Sequence, residues 1–411
     1  MTERLDGARM LIYSHDTFGL GHLRRCRAIA HALVEQYKGL SVIILSGSPI
    51  IGSFDFRARV DFVRVPSVIK LYNGEYTSLG LHIDIQQTLA IRASIIRHTA
   101  EVFGPDLFLV DKEPLGLRGE ITETLNMLKA RGTKLVLGLR DVMDEPTLLR
   151  REWESGQLVP ALASLYDEIW VYGLPEVWNP LTDMQLPASV TDKMSYTGYL
   201  ERFLPQKLKR TPHVEIDEPY VLVTPGGGGD GYDMIDWVLS AYETATDLPY
   251  APLFVLGPFM NADQQEELVQ RIERLPRAQT LTFDSHVEFL MAEAAGVISM
   301  CGYNTFCEIL SFDKPAVIVP RSRPRQEQLV RAQQAERLGL VRMLDPDGPR
   351  EPAVMAEAIR NLPSQPRPSS ALLPGMLEGL ERVVELARPH LRGEAEAPAL
   401  DAGKAALTPA I

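Results

Sequence analysis

Twice along the chain a short apolar run ends in a glycine-rich loop and continues into a segment of helical period. The first instance is Met10–Ser14 followed by His15-Asp16-Thr17-Phe18-Gly19-Leu20-Gly21-His22. The second is Tyr220–Thr224 followed by Pro225-Gly226-Gly227-Gly228-Gly229-Asp230-Gly231. Such an opening starts a parallel α/β layer, because strands that are apolar on both faces need helices to cover them. Further short runs follow in each half: Val42–Ser46, Phe62–Val65, Leu107–Asp111, Lys134–Leu139 and Glu168–Tyr172, then Leu253–Leu256, Thr280–Phe283, Gly296–Met300 and Ala316–Val319. Helical stretches lie between them, among them His22–Gln36, Ile83–Phe103, Thr305–Phe312 and Gln326–Leu338. The expected class is α/β, with two Rossmann-like domains built on parallel sheets.

The 411 residues are too many for one ordinary core and suit two domains of ~150–200 residues. The expected organisation is an N-terminal domain over 1–200 and a linker over 201–217, within the Pro-, Lys- and Arg-rich stretch Glu201–Glu218 entered from a strand-like Ser195–Gly198. A second domain covers 218–374, ending in the Pro/Ser-rich Leu362–Pro374. A last helix is expected over 375–392, and the Ala/Pro/Glu-rich tail 393–411 has too little to bury to be ordered. A net charge of −12 has the wrong sign for a nucleic-acid partner, and leaves room for peripheral membrane contact through a local basic patch. Three cysteines, Cys26, Cys301 and Cys307, make no disulfide framework. With no apolar leader in the first residues and no apolar run of ~18–20 residues, the expectation is a cytoplasmic protein.

The glycine loops suit an anion at a helix N-terminus, where backbone N–H groups point outward. Redox dinucleotides are disfavoured. Neither second strand ends in the acidic residue that would hold a ribose, since Val42–Ser46 runs into Gly47-Ser48-Pro49 and Leu253–Leu256 into Gly257-Pro258. The G-x-x-x-x-G-K-[ST] phosphate loop is missing as well.

Ser299-Met300-Cys301-Gly302-Tyr303-Asn304-Thr305-Phe306-Cys307-Glu308 is the richest stretch. A strand ends, Gly302 permits a turn, and Asn304 or Thr305 caps a new helix. Its N-terminus suits a diphosphate, with Glu308 one turn in and able to accept two ribose hydroxyls. Thr305-x-x-Glu308 is equally a capping box, in which Glu308 folds back onto the cap.

Gly302, Asn304, Thr305 and Glu308, followed by Pro315, Pro320, Glu327-Gln328 and Arg331-Ala332, resemble the donor-site signature of family-28 glycosyltransferases, the family of the N-acetylglucosaminyltransferase that makes peptidoglycan lipid II. Gly19-x-Gly21-His22 is similar to that family's N-terminal Gly-Gly-His, and Gly21-His22-x-x-Arg25 also resembles the nucleotide-sugar hydrolase of pseudaminic acid synthesis. The resemblance implies a GT-B fold, with the two sheets facing across a cleft. It implies an inverting, metal-independent transfer from a nucleotide sugar, UDP-N-acetylglucosamine first, to a small-molecule, glycan or lipid-linked acceptor, with no cofactor. It further implies that Gly302–Thr305 hold the diphosphate together with Gly19, Gly21, Gly226, Gly227 and Gly228, that Glu308 holds the ribose, and that Glu327 and Gln328 hold sugar hydroxyls. Arg331 stands where the family has Asn, and Gly229-Asp230 where relatives carry Ser-Gln. A hydrolase or epimerase on the same fold, or a binding protein without chemistry, are the alternative readings.

His22 is the candidate base, by resemblance and by its place at a helix start; as a bare residue it serves equally as a cap or a phosphate donor. Asp111 and Asp141, each at a strand end, can orient His22, bind an acceptor or cap the next turn. Arg24 and Arg25 follow His22, one within reach of a phosphate or acid group. His286 contacts base or phosphate, or merely starts a helix. Asp345-Pro346-Asp347 reads as a turn and not as a metal site.

Overall fold

The computed structural model describes residues 2–16, 20–70, 75–155, 158–182, 184–204, 218–227 and 229–391. Gly19, Gly228, most of the expected linker and the expected tail lie outside them.

The first sheet contains β1 (Arg9–Ser14), β2 (Ser41–Ser46), β3 (Val60–Arg64), β4 (Leu107–Asp111), β5 (Lys134–Arg140), β6 (Glu168–Tyr172) and β7 (Met194–Tyr196). Its order is β7-β6-β5-β4-β1-β2-β3, all parallel. The second contains β8 (Tyr220–Thr224), β9 (Ala251–Val255), β10 (Gln279–Leu281), β11 (Gly296–Ser299), β12 (Ala316–Ile318) and β13 (Arg342–Met343), ordered β10-β9-β8-β11-β12-β13 and again parallel. In both sheets the first strand lies between the second and the fourth. The strand order reverses there, and an open α/β sheet leaves a crevice beyond the strand ends at that point. β1 and β4 flank it in one half, β8 and β11 in the other.

The strands are buried on both sides, as their unbroken apolar runs require: every residue of β4, β8 and β9 is buried. Seven helices matter for the site: α1 (Gly21–Gln36), α2 (Ile85–Phe103), α3 (Tyr232–Thr244), α4 (Val287–Glu293), α5 (Tyr303–Ser311), α6 (Glu327–Arg337) and α7 (Gly379–Leu391). α1 buries Leu23, Cys26, Ile29, Ala30, Leu33 and Val34, the spacing of one helical face. α2 starts at Ile85, two residues later than expected, because Asp84 caps it by accepting from Gln86 N at 2.7 Å.

α7 is in the sequence of the second half but packs on the first. It lies against α1, with Tyr37 Oη donating to Val384 O at 2.8 Å, Arg388 on Glu3 at 2.8 Å and His390 on Glu168 at 2.6 Å. It begins at Gly379 and not at Gly375, because the preceding residues fold into turns tied to the first half: Glu378 N donates to Gly375 O at 3.2 Å, Tyr199 N donates to Met376 O at 2.7 Å, and Leu200 pairs with Glu378. The approach is close enough that a Cβ on Gly379 would sit 2.5 Å from Tyr199 O. One apolar cluster therefore runs from Ile29 and Leu33 through Tyr199, Met376 and Val383 to Phe306 and Ile309. No helix among the described residues is long and apolar enough to cross a membrane.

Candidate active site

The two crevices face each other. Loop meets loop: a Cβ on Gly227 would lie 2.9 Å from Leu20 Cβ, so only glycine lets the two halves approach there. Asn304 Nδ2 donates to Gly21 O at 2.9 Å, while its Oδ1 accepts from Arg202 at 2.8 Å. Gly226 (φ 96°) turns under Thr305, whose Oγ1 is 3.4 Å from the Cβ that Gly226 lacks. The residue just past β4, Lys112 (φ 72°), and Cys301, two past β11 (φ 64°), both occupy the left-handed region. Two of the five such non-glycine residues among the described residues thus fall at the equivalent strand end of the two halves, beside the crevice.

On the first side, His22 Nδ1 lies 2.5 Å from Asp111 Oδ2, and Arg25 grips the same carboxylate through Nε at 2.8 Å and Nη2 at 2.6 Å. Arg25 Nη2 is also 3.2 Å from His22 Nδ1, but it is turned to the shorter carboxylate contact. Nδ1 therefore carries the proton donated to Asp111, and Nε2, which no described residue hydrogen-bonds, presents its lone pair. Burial pulls the His22 pKa below its ordinary value despite the pull of Asp111, so the ring is neutral near pH 7. Burial alone would raise Asp111, but Arg25 and His22 overcome it and hold the carboxyl well below the usual range. Asp16 ties α1 to β2, accepting from Leu23 N at 3.1 Å and Ser46 Oγ at 2.6 Å.

On the second side α5 starts at Tyr303, with Gly302 as its cap and no side-chain capping bond. This corrects the expected cap at Asn304 or Thr305: both fall inside the first turn, and Asn304 is spent on Gly21 and Arg202. Glu308 does not fold back as a capping box either. It is 1% exposed and ion-paired with Arg24 across the cleft. Burial raises its pKa, with Arg24 opposing. Arg24 also lies 3.8 Å from Glu288 on α4. These groups line one end of a 1740 Å³ groove that includes Arg27 and His286. His286 caps α4 and reaches Asp55 of the first half at 3.1 Å. Glu327 and Gln328 begin α6, where Glu327 pairs with Arg321 and Gln328 Oε1 accepts from Arg321 N at 2.9 Å.

Asp141 moves out of the list of partners for His22. It is fully buried beneath Arg331, which donates through Nε at 2.8 Å and Nη2 at 2.6 Å, and Tyr199 Oη adds a third bond at 2.9 Å. Arg331 also donates to Cys301 O at 2.9 Å. The departure of Arg331 from the family pattern was visible in the sequence; its partner, 190 positions away, was not. Asp144, which receives Arg325 at 2.8 Å and Gln326 N at 2.9 Å, carried no signal at all. Asp345 accepts from Asp347 N at 3.0 Å, the turn expected. Among the described residues no three His, Cys, Asp or Glu side chains gather in a way that could hold a metal ion.

With this geometry in place, residues 227–367 match the model of the glycosyltransferase family 28 C-terminal domain. The second half carries a family-28 glycosyltransferase domain. No curated protein sequence matches the chain. Among solved structures, the calicheamicin glycosyltransferase CalG4 superposes with a TM-score of 0.58 at 15% identity, over 95% of this chain and 100% of the other. UGT2 of Phytolacca americana, solved with UDP-2-fluoro-glucose and pterostilbene, gives 0.59 at 14% identity over 93% and 94%. TcCGT1 in complex with UDP gives 0.62 at 12% over 93% and 99%. At such identities the likeness establishes the fold, which is GT-B over nearly the whole chain. The domain and the fold together place the chain among the glycosyltransferases. The likeness to the lipid II enzyme extends to the domain and not to its substrates.

Proposed function

We propose that the chain transfers a sugar from a nucleotide diphosphate donor to an acceptor hydroxyl with inversion and without a metal ion. The observation that carries this reading is the His22–Asp111–Arg25 arrangement at one crevice, opposite the Gly302–Glu308 helix start at the other. Nε2 of His22 takes the acceptor proton as the oxygen attacks the anomeric carbon, and the C–O bond to the diphosphate breaks with its electron pair leaving on phosphate. The first N–H groups of α5, unpaired within the helix, meet that charge together with the second glycine loop. Donors carrying UDP are the first choice, N-acetylglucosamine foremost. The acceptor is a small molecule, a glycan or a lipid-linked sugar.

The test is a panel of nucleotide sugars with product analysis, run with and without chelator. Transfer to an acceptor supports the reading, whereas release of free sugar with water alone identifies a hydrolase using the same base. Activity abolished by chelator and restored by magnesium or manganese would exclude the metal-free route.

Glu308 is the proposed ribose ligand, which requires the incoming nucleoside to replace Arg24 on its carboxylate. Glu308→Ala is expected to weaken UDP binding by about 1.5–3 kcal/mol, the scale of lost charge-assisted hydrogen bonds. Calorimetry reads this directly, and undiminished affinity in the variant would put the ribose elsewhere.

A further inference from the structure

Three charged side chains among the described residues have a buried nitrogen or oxygen with no hydrogen-bond partner: Arg140 Nε, Arg321 Nε and Glu327 Oε2. They belong to one place. Arg321 is bound to Glu327 and, at 2.5 Å, to Asp230 at the end of the second glycine loop. Arg140 ends β5 in the other half and is drawn electrostatically to Glu327, yet its side chain makes no hydrogen bond or ion pair with any described residue. The other neighbouring acid, Asp141, is saturated by Arg331 and Tyr199. Arg25 and Arg331 repel Arg140, and burial together with that repulsion brings its pKa down to about 10 although Glu327 opposes.

A guanidinium has five donors and no acceptor, and leaving even one of them, here Nε, buried without a partner is costly. Arg25, Arg92 and Arg331, more deeply buried than the partly exposed Arg140, each have a carboxylate held by two bonds. Arg140 alone of these four lacks one, and it stands between the His22 side of the cleft and the Glu327 side.

We propose that Arg140 is the receptor for an anionic group, phosphate or carboxylate, on the substrate that lies between His22 and Glu327. This rests on the reading of the cleft as the transfer site. The anion belongs either to the donor's diphosphate or to an acidic acceptor, and the geometry of a planar fork suits both.

The experiment follows thermal stability of the full chain against inorganic phosphate, with and without saturating UDP, in the wild type and in Arg140→Gln. A ligand bound only by the folded state raises its midpoint, so phosphate should stabilise the wild type saturably. The variant should need at least roughly ten times more phosphate, as expected for loss of a charge-assisted pair. Its ligand-free midpoint should not fall, because no bond is removed. Phosphate stabilisation that persists under UDP assigns the anion to the acceptor; loss of it under UDP, with UDP itself bound about tenfold more weakly by the variant, assigns it to the donor. Equal phosphate and UDP affinities in wild type and variant would overturn the proposal, and Arg140→Met, which keeps the apolar stem, gives the same reading should the amide variant not fold. A wild type that binds phosphate through Arg140 but no UDP would leave the anion site standing and remove the donor assignment instead.

Discussion

His22→Ala is expected to lower turnover by ~10²–10⁴ while UDP binding survives, the pattern of a lost general base. The separation follows from geography: His22 and Asp111 lie at the first crevice, and the proposed donor ligands Gly302–Thr305 and Glu308 at the second. Asp111→Asn should cost activity too, because the amide no longer fixes the Nδ1–H tautomer that leaves Nε2 free. The pH profile carries an independent check. Since burial lowers the His22 pKa from 6.5, the basic form is already present at neutral pH. The rate should be flat there and fall only on the acid side, below the ordinary histidine range. A wild-type profile still rising through pH 7 would contradict the assignment, and so would an alanine variant of normal rate. An alanine variant that no longer binds UDP would make His22 a phosphate ligand.

The second large effect concerns stability. Arg331→Ala leaves the fully buried Asp141 carboxyl without its counter-ion and should cost about 3–5 kcal/mol. Urea unfolding measures it as a lowered midpoint. Replacing both partners with leucine should recover much of that loss, because two desolvated charges disappear together. Tyr199 Oη, which also bonds Asp141, would then be left without its acceptor, so recovery should stop short of complete by about 1–3 kcal/mol, the cost of one unsatisfied buried polar group. A midpoint unmoved by Arg331→Ala would show that the pair is solvated in solution. Asp141→Asn with an unchanged midpoint but lost turnover would return Asp141 to the catalytic side.

Much of the fold was legible because its signals are local. β4, β6 and β8 have the limits that their apolar runs predict, and both glycine loops sit at strand-to-helix turns as their composition requires. His22 at a helix start and Asp111 at a strand end were both recognisable. Asp111 and Asp141 both stood as acids able to orient His22; that Asp111 does so depends on β1 and β4 being neighbours, although β2, β3, α1 and α2 intervene in sequence. The same holds for every contact across the cleft. Arg24 with Glu308 and Asn304 with Gly21 join residues 284 and 283 positions apart, a separation at which no periodicity carries information. The Thr305-x-x-Glu308 pattern shows the converse error: a correct local motif lost to tertiary competition, because Gly302 already turns the chain and Arg24 claims the carboxylate. Arg140 is legible in the sequence only as a charge at a strand end, since an unpaired arginine reads like any solvated one.

The placement of α7 on the first half has a consequence for how the protein is made. The apolar face of α1 that receives Val383 and Ala387 is synthesised early and stays uncovered until residues 379–391 leave the ribosome. The roughly 180 residues between Leu200 and Gly379 take about 10–35 s to translate at 5–20 residues per second. During that interval the second sheet can complete its own strand order, whereas the first sheet, though translated earlier, still lacks part of its cover. The nascent chain therefore has a defined window in which α1 is open to chaperones or to a neighbouring chain on the same message, and the half that begins the sequence is the last to be finished.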